Sequence, residues 1–102
     1  MNCVMISGRV TREPEMYHTQ SGSDVISFTV AVHRPMTKDV TDYVDCVAWD
    51  DRASFVERNF HKGMYVEVKG VITTRDYEKN GVKRKVSEIR VEDANMCPTA
   101  QR

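Results

Sequence analysis

The stretch Thr41 to Asp50, TDYVDCVAWD, alternates with the period of two that a half-buried strand requires, and it limits what the chain can become. Tyr43, Asp45, Val47 and Trp49 fall on one face, while Val44, Cys46 and Ala48 fall on the other. The second set is small and apolar, as the inside of a tightly curved sheet needs. The first puts a tyrosine and the only tryptophan on the face expected to be wet. Large flat rings on an open sheet face form a surface on which nucleic-acid bases can stack. The plainer alternative caps Trp49 with the following helix and makes Tyr43 an ordinary strand aromatic. Taken alone, this strand favours the plainer one.

With 102 residues, 40% hydrophobic and 29% charged, the chain is long enough for one domain with a real core, and is neither disordered nor membranous. No apolar run approaches a membrane span, and the opening MNCVMISGRV lacks a basic region followed by a greasy core. The expected compartment is therefore the cytoplasm. Cys3, Cys46 and Cys97 are odd in number, widely spaced and without a CxxC pair. That argues against a disulfide framework or zinc site, and no cofactor is expected. Cys46 reads as a small core residue. His18, His33 and His61 read as surface residues, since nothing groups them with cysteines or carboxylates at metal spacing.

The net charge of zero hides an asymmetry. Residues 39–57 carry six acids against Arg52 alone, whereas residues 75–90 carry six bases against Asp76, Glu78 and Glu88. A polyanion would feel the second region as an attraction and the first as an obstacle.

Val4 to Val10 reads as the first strand, with Val4, Ile6, Gly8 and Val10 on one side. Gly8 within it predicts a bend or a close backbone approach. Thr11 to Ser23, with Pro14 and Ser21-Gly22, reads as a connection. Val25 to Arg34 is the clearest alternating run, placing Ile26, Phe28, Val30 and Val32 inward, and it stops at Pro35. Thr41 to Asp50 follows as the third strand. Asp50 or Asp51 can cap a short helix through about Phe60, with Ala53, Val56 and Phe60 on one face and Lys62-Gly63 closing it. A fourth strand from about Met64 to Tyr77 sends Val66, Val68 and Ile72 inward, with Lys69, Arg75 and Tyr77 opposite. Asn80-Gly81 marks a hairpin into a fifth strand, Lys83 to about Val91, with Ile89 and Val91 inward. Residues 1–96 thus read as one domain and Cys97 to Arg102 as a frayed tail.

Five strands with one short helix between the third and fourth is the order of an OB-fold, a five-stranded Greek-key barrel. Periodicity alone leaves other small β-barrels open.

The order and spacing of particular residues go further. The chain resembles the bacterial single-stranded DNA-binding protein family from its first residue to about Met96. The resemblance rests on Met1-Asn2, Gly8-Arg9-Val10, Pro14-Glu15, Thr19 with Gly22, Phe28, Ala31-Val32 and Thr41-Asp42-Tyr43. It continues through Val47, Trp49, Ala53, Lys62-Gly63, Val66, Val68, Gly70, Thr74-Arg75 with Tyr77, Gly81 and Glu88. No single piece is specific; their succession over nearly the whole chain is.

The resemblance implies an OB-fold protein that binds and protects transient single strands in replication, repair or recombination, without catalysis, and that assembles as a homotetramer. It maps three base-stacking aromatics onto Tyr43, Trp49 and Tyr77, and a fourth onto Met36, which offers no ring. Lys62 and Arg75 match as bases, and Lys79, Lys83, Arg84 and Lys85 supply a basic hairpin. Arg9 and Arg34 are further candidates for phosphate contact. The alternative for the hairpin is a solvated turn whose lysines discourage edge pairing.

Two departures stand out. Asp45, Asp51 and Asp76 occupy positions where the resemblance leads one to expect bases. The sequence also stops at Ala100-Gln101-Arg102, without the flexible extension ending in an acidic, hydrophobic peptide that the resemblance implies for partner recruitment. Two other readings remain open. One is an OB-fold adaptor for protein partners. The other is a small OB-fold nuclease using Asp45, Asp50 and Asp51 around a metal.

Overall fold

The computed structural model describes residues 1–97, which form six strands and one helix. In chain order these are β1 (Val4–Val10), β2 (Glu15–His18), β3 (Asp24–His33), β4 (Thr41–Trp49), α1 (Asp51–Asn59), β5 (Tyr65–Lys79) and β6 (Val82–Met96). The sheet runs β1-β5-β6-β4-β3-β2, and β1 also pairs with β3 at Arg9–Ala31 and Val10–Val30. That second pairing closes five strands into a barrel and leaves β2 as a flap on β3. All partners are antiparallel except β4 and β6, which meet in parallel at Cys46–Ile89 and Val47–Arg90. A closed five-stranded barrel with the helix between β4 and β5 is an OB-fold.

The alternating apolar residues fill it. Ile26, Phe28 and Val30 from β3, Cys46 and Ala48 from β4, Val66 and Val68 from β5, and Ile89 and Val91 from β6 form one buried cluster. The helix closes one end with Ala53, Val56 and, just beyond its last turn, Phe60, which meets Phe28 edge-to-face at 5.6 Å. Burial pushes the Cys46 thiol up to about 12, with the charges of Asp45 and Glu88 adding to it, so it is an inert core group. Gly8 is where β1 crosses β3. A Cβ there would stand 2.1 Å from the Ala31 carbonyl oxygen, so the expected close approach is what lets the barrel shut.

Four expectations need correction. The connection between Thr11 and Ser23 contains β2, whose four residues are too few to show a period. Ile72 was expected inward but is 44% exposed. It lies just past a register shift at Lys69/Gly70, which breaks the simple alternation of β5, although its partner Ile89 on β6 is still in the core. Val47, expected on the wet face, is buried, flanked in register by Ser27 and Arg90. Asp50 holds the N-cap position of α1 with φ 53° but makes no side-chain cap. Its Oδ1 accepts the Asp24 N–H at 3.1 Å instead, tying the helix start to β3. In addition, β6 runs on to Met96, and the Cys97 N–H donates to the Tyr65 carbonyl at 2.9 Å. The rest of the expected frayed tail, residues 98–102, lies outside the described residues.

Candidate nucleic-acid interface

The outer face of β3, β4, β5 and β6 carries the odd-numbered residues of β4 and β5 and the even-numbered residues of β6 that pair with them. Its centre is a groove of about 500 Å³ lined by Tyr17, Val25, Ser27, Val47, Trp49, Thr73, Thr74, Arg75, Glu88 and Arg90. Trp49 ends β4 half-buried, with the Arg90 guanidinium 5.2 Å from its ring centroid. Arg90 reaches it because the parallel β4–β6 register sets Arg90 beside Val47, one pleat from Trp49. Arg75 Nε donates to Glu88 Oε1 at 3.0 Å on the opposite wall.

Of the expected ring platforms, only Trp49 lines this groove. Tyr43 stands on the same face six residues earlier, 69% exposed, with only the small Ala31 opposite it. Tyr77 is 39% exposed and lies two residues beyond Arg75, where β5 and β6 form a protruding ribbon. Met36 sits in the β3–β4 loop, fully exposed and with φ 61°.

The bases divide just as clearly. In the ribbon, Arg84 pairs in register with Tyr77 and so shares its face, and Lys79, opposite Val82, shares it too. Lys83 and Lys85 stand opposite Glu78 and Asp76, on the other face. The turn between them is tight, with Asn80 and Gly81 both at positive φ. Arg34 is held by Asp42 through two hydrogen bonds of 3.0 and 2.6 Å, which also hold the Asp42 carboxyl below the usual carboxylate range. Arg9 donates to the Gly63 carbonyl at 2.9 Å and covers the Tyr65 ring at 5.6 Å. Lys62 is nearby and exposed, and its backbone N–H donates to Glu13 at 2.6 Å. That bond is the main cause lowering the Glu13 carboxyl, with the His61 ring adding to it.

The acids scatter. Asp45 lies on the ring face and accepts the Thr29 hydroxyl at 2.9 Å, Asp50 is turned to Asp24, and Asp51 sits exposed in the first turn of α1. Among the described residues no three His, Cys, Asp or Glu side chains stand together as a metal site. Nor is any helix there long and apolar enough to cross a membrane. Cys3, Cys46 and Cys97 are free.

Of the groove residues that sequence reasoning did not assign to the site, Arg90 and Tyr17 bear most on binding. Arg90 carried a signal, since it alternates with the inward Ile89 and Val91. Tyr17 carried none, because Pro14 and the Ser-Gly turn around it read as a connection.

The model of the single-strand binding protein family matches residues 1–97. The chain belongs to that family. A single-stranded DNA-binding protein of Lactiplantibacillus plantarum is 37% identical over an alignment of 101 positions that covers 94% of this chain and 50% of the relative. Single-stranded DNA-binding protein 3 of Listeria innocua is 37% identical over an alignment of 106 positions that covers 99% of this chain and 66% of the relative. Single-stranded DNA-binding protein A of Bacillus subtilis is 35% identical over an alignment of 101 positions that covers 94% and 59% respectively. The chain thus spans about half to two thirds of the length of the curated relatives it matches.

Proposed function

We propose that this chain binds single-stranded DNA without sequence preference, stacking bases on Trp49, Tyr43 and Tyr77 and meeting phosphates with basic side chains. The supporting observation is Trp49, a half-buried indole under a guanidinium at the centre of an open groove in a single-strand binding family member. Base–aromatic stacking is worth about 1–3 kcal/mol per base across such proteins, this family among them. An exposed cation on a ring is worth about 0.5–1 kcal/mol. A base arriving on the Trp49 face therefore displaces Arg90 at a net gain, and the freed guanidinium turns to a phosphate. Arg84 and Lys79 supply charge beside Tyr77, while Met36 adds an apolar contact. Arg75 serves the groove wall, and Arg9 and Lys62 mark a second place for the backbone at the Gly63 turn. Arg34, Lys83 and Lys85 contribute less, each standing beside or opposite a carboxylate.

The setting proposed for this activity is the protection of transient single strands in replication, repair or recombination in the cytoplasm. The assembly proposed is a homotetramer. The edge of β1 facing β3 has strand pairing at Arg9 and Val10, and Val4 to Ser7, beside the exposed Met5, are offered as the backbone edge for a second chain. Light scattering at micromolar concentration is expected to give four chains; a monomer removes this part.

The direct test is a titration with oligo(dT) followed by tryptophan fluorescence at two salt concentrations. Trp49 is the only tryptophan, so quenching reports this groove. Absence of both quenching and binding overturns the proposal.

A further inference from the structure

The groove has a second ring, and it comes from β2. Tyr17 pairs in register with Val25, and Val25 pairs with Trp49, so the three form one row across β2, β3 and β4. Strands spaced about 4.8 Å apart set the backbones of Tyr17 and Trp49 roughly 10 Å from one another. Both side chains line the groove, with Val25 as its floor between them. Tyr17 is 53% exposed and takes no part in the core. Its hydroxyl donates to Glu15 Oε2 at 2.9 Å, the main cause holding the Tyr17 phenol above its ordinary range, with the Ser27 side chain and the Arg12 charge opposing it.

We propose that Tyr17 is a base-stacking residue, and that the gap between Tyr17 and Trp49 takes one nucleobase of the bound strand. This rests on the single-stranded DNA reading above and deepens it. The occupant is a base rather than a peptide side chain because the walls combine two rings, the Arg90 cation and the Arg75–Glu88 pair. Rings hold any base by its π-face, and an arginine can serve either that face or the phosphate joined to it. The strand then crosses β3 toward β2, and Tyr17 adds a ring at the Trp49 end of β4, away from the β3–β4 loop that carries Met36.

The experiment measures anisotropy of a labelled oligo(dT) on the full chain and its variants. Tyr17→Ala is expected to bind roughly five-fold or more weakly. Its salt slope should match wild type, because no charge is lost. Tyr17→Phe should bind like wild type, as the ring and not the hydroxyl is the contact. Thermal melting checks that the variants keep the fold. Independently, photocrosslinking of wild type to 5-iododeoxyuridine oligonucleotides should mark Tyr17. Wild-type binding by Tyr17→Ala, equal loss in Tyr17→Phe, or crosslinks confined to Tyr43, Trp49 and Tyr77 would each overturn this inference while leaving the single-stranded DNA reading intact. A wild-type chain that fails to bind overturns that reading first, and this one with it.

Discussion

The two ends of β4 carry the same kind of residue on the same face in opposite surroundings. At one end Trp49 is half-buried, roofed by Arg90 and flanked across Val25 by Tyr17. At the other, Tyr43 is 69% exposed beside Ala31, and the nearby charges belong to Asp42, Asp45 and Arg34. A ring already held in place loses less freedom when a base lands on it; one that waves in solvent must be ordered first. The braced end should therefore supply most of the affinity.

Replacing the two rings in turn gives the largest effect. Trp49→Ala should weaken oligo(dT) binding toward the upper end of the stacking range, about 3 kcal/mol, and Tyr43→Ala nearer 1 kcal/mol. Thermal melting should separate them as well, with Trp49→Ala losing about 1–2 kcal/mol of stability and Tyr43→Ala within about 0.5. Equal losses of affinity would break the comparison.

The ribbon repeats the contrast in charge. Arg84 shares the face of Tyr77, whereas Lys83 faces the other way, opposite Glu78. Each phosphate neutralised on a single strand contributes a slope of about −0.7 in log K against log salt. Arg84→Ala should therefore flatten the slope by about 0.7, and Lys83→Ala should barely change it. The acids follow the same logic more weakly. Asp45→Asn, on the ring face, should tighten binding at low salt and lose that advantage as salt screens it, while Asp76→Asn should do little. If both aspartates behaved alike, strand parity would not be sorting charges here.

Parity is also what made the barrel legible in the sequence. Ile26, Phe28 and Val30, Cys46 and Ala48, and Ile89 and Val91 are inward because alternation fixes a strand's buried face. The period does not show a register shift, so Ile72 reads like Val68 although it lies past the Lys69/Gly70 shift and is 44% exposed. The site was legible where a residue type is chemically distinctive, as with Trp49. It was hidden where the contact depends on partners distant in sequence. Arg34 reads as a free base until Asp42 is seen to grip it from the next strand, and Tyr17 needs β3 to bring it beside Trp49.

The smallest effect expected is that of acid on the exposed end of β4. Asp42 is held below the ordinary carboxylate range first by the hydrogen bonds from Arg34 and then by its charge. A carboxylate depressed in the folded state contributes stability that is fully present above its unfolded value, here 3.8, and lost as pH falls through the lower folded value. The Arg34–Asp42 clamp should thus hold at neutral pH and open only in strong acid. Both groups are solvated, so the loss is local rather than global. It should show as faster exchange of the Arg34 amide, which donates to Val40 across the mouth of the β3–β4 loop at 3.0 Å. At the Trp49 end the guanidinium over the ring is Arg90, separate from the Arg75–Glu88 pair of the same groove, and Trp49 should hold its fluorescence through the same titration. Asp42→Asn should make that amide exchange fast at every pH and leave Trp49 untouched. If acid instead altered Trp49 first, the two ends would be coupled and the division between a braced and a bare end would not stand.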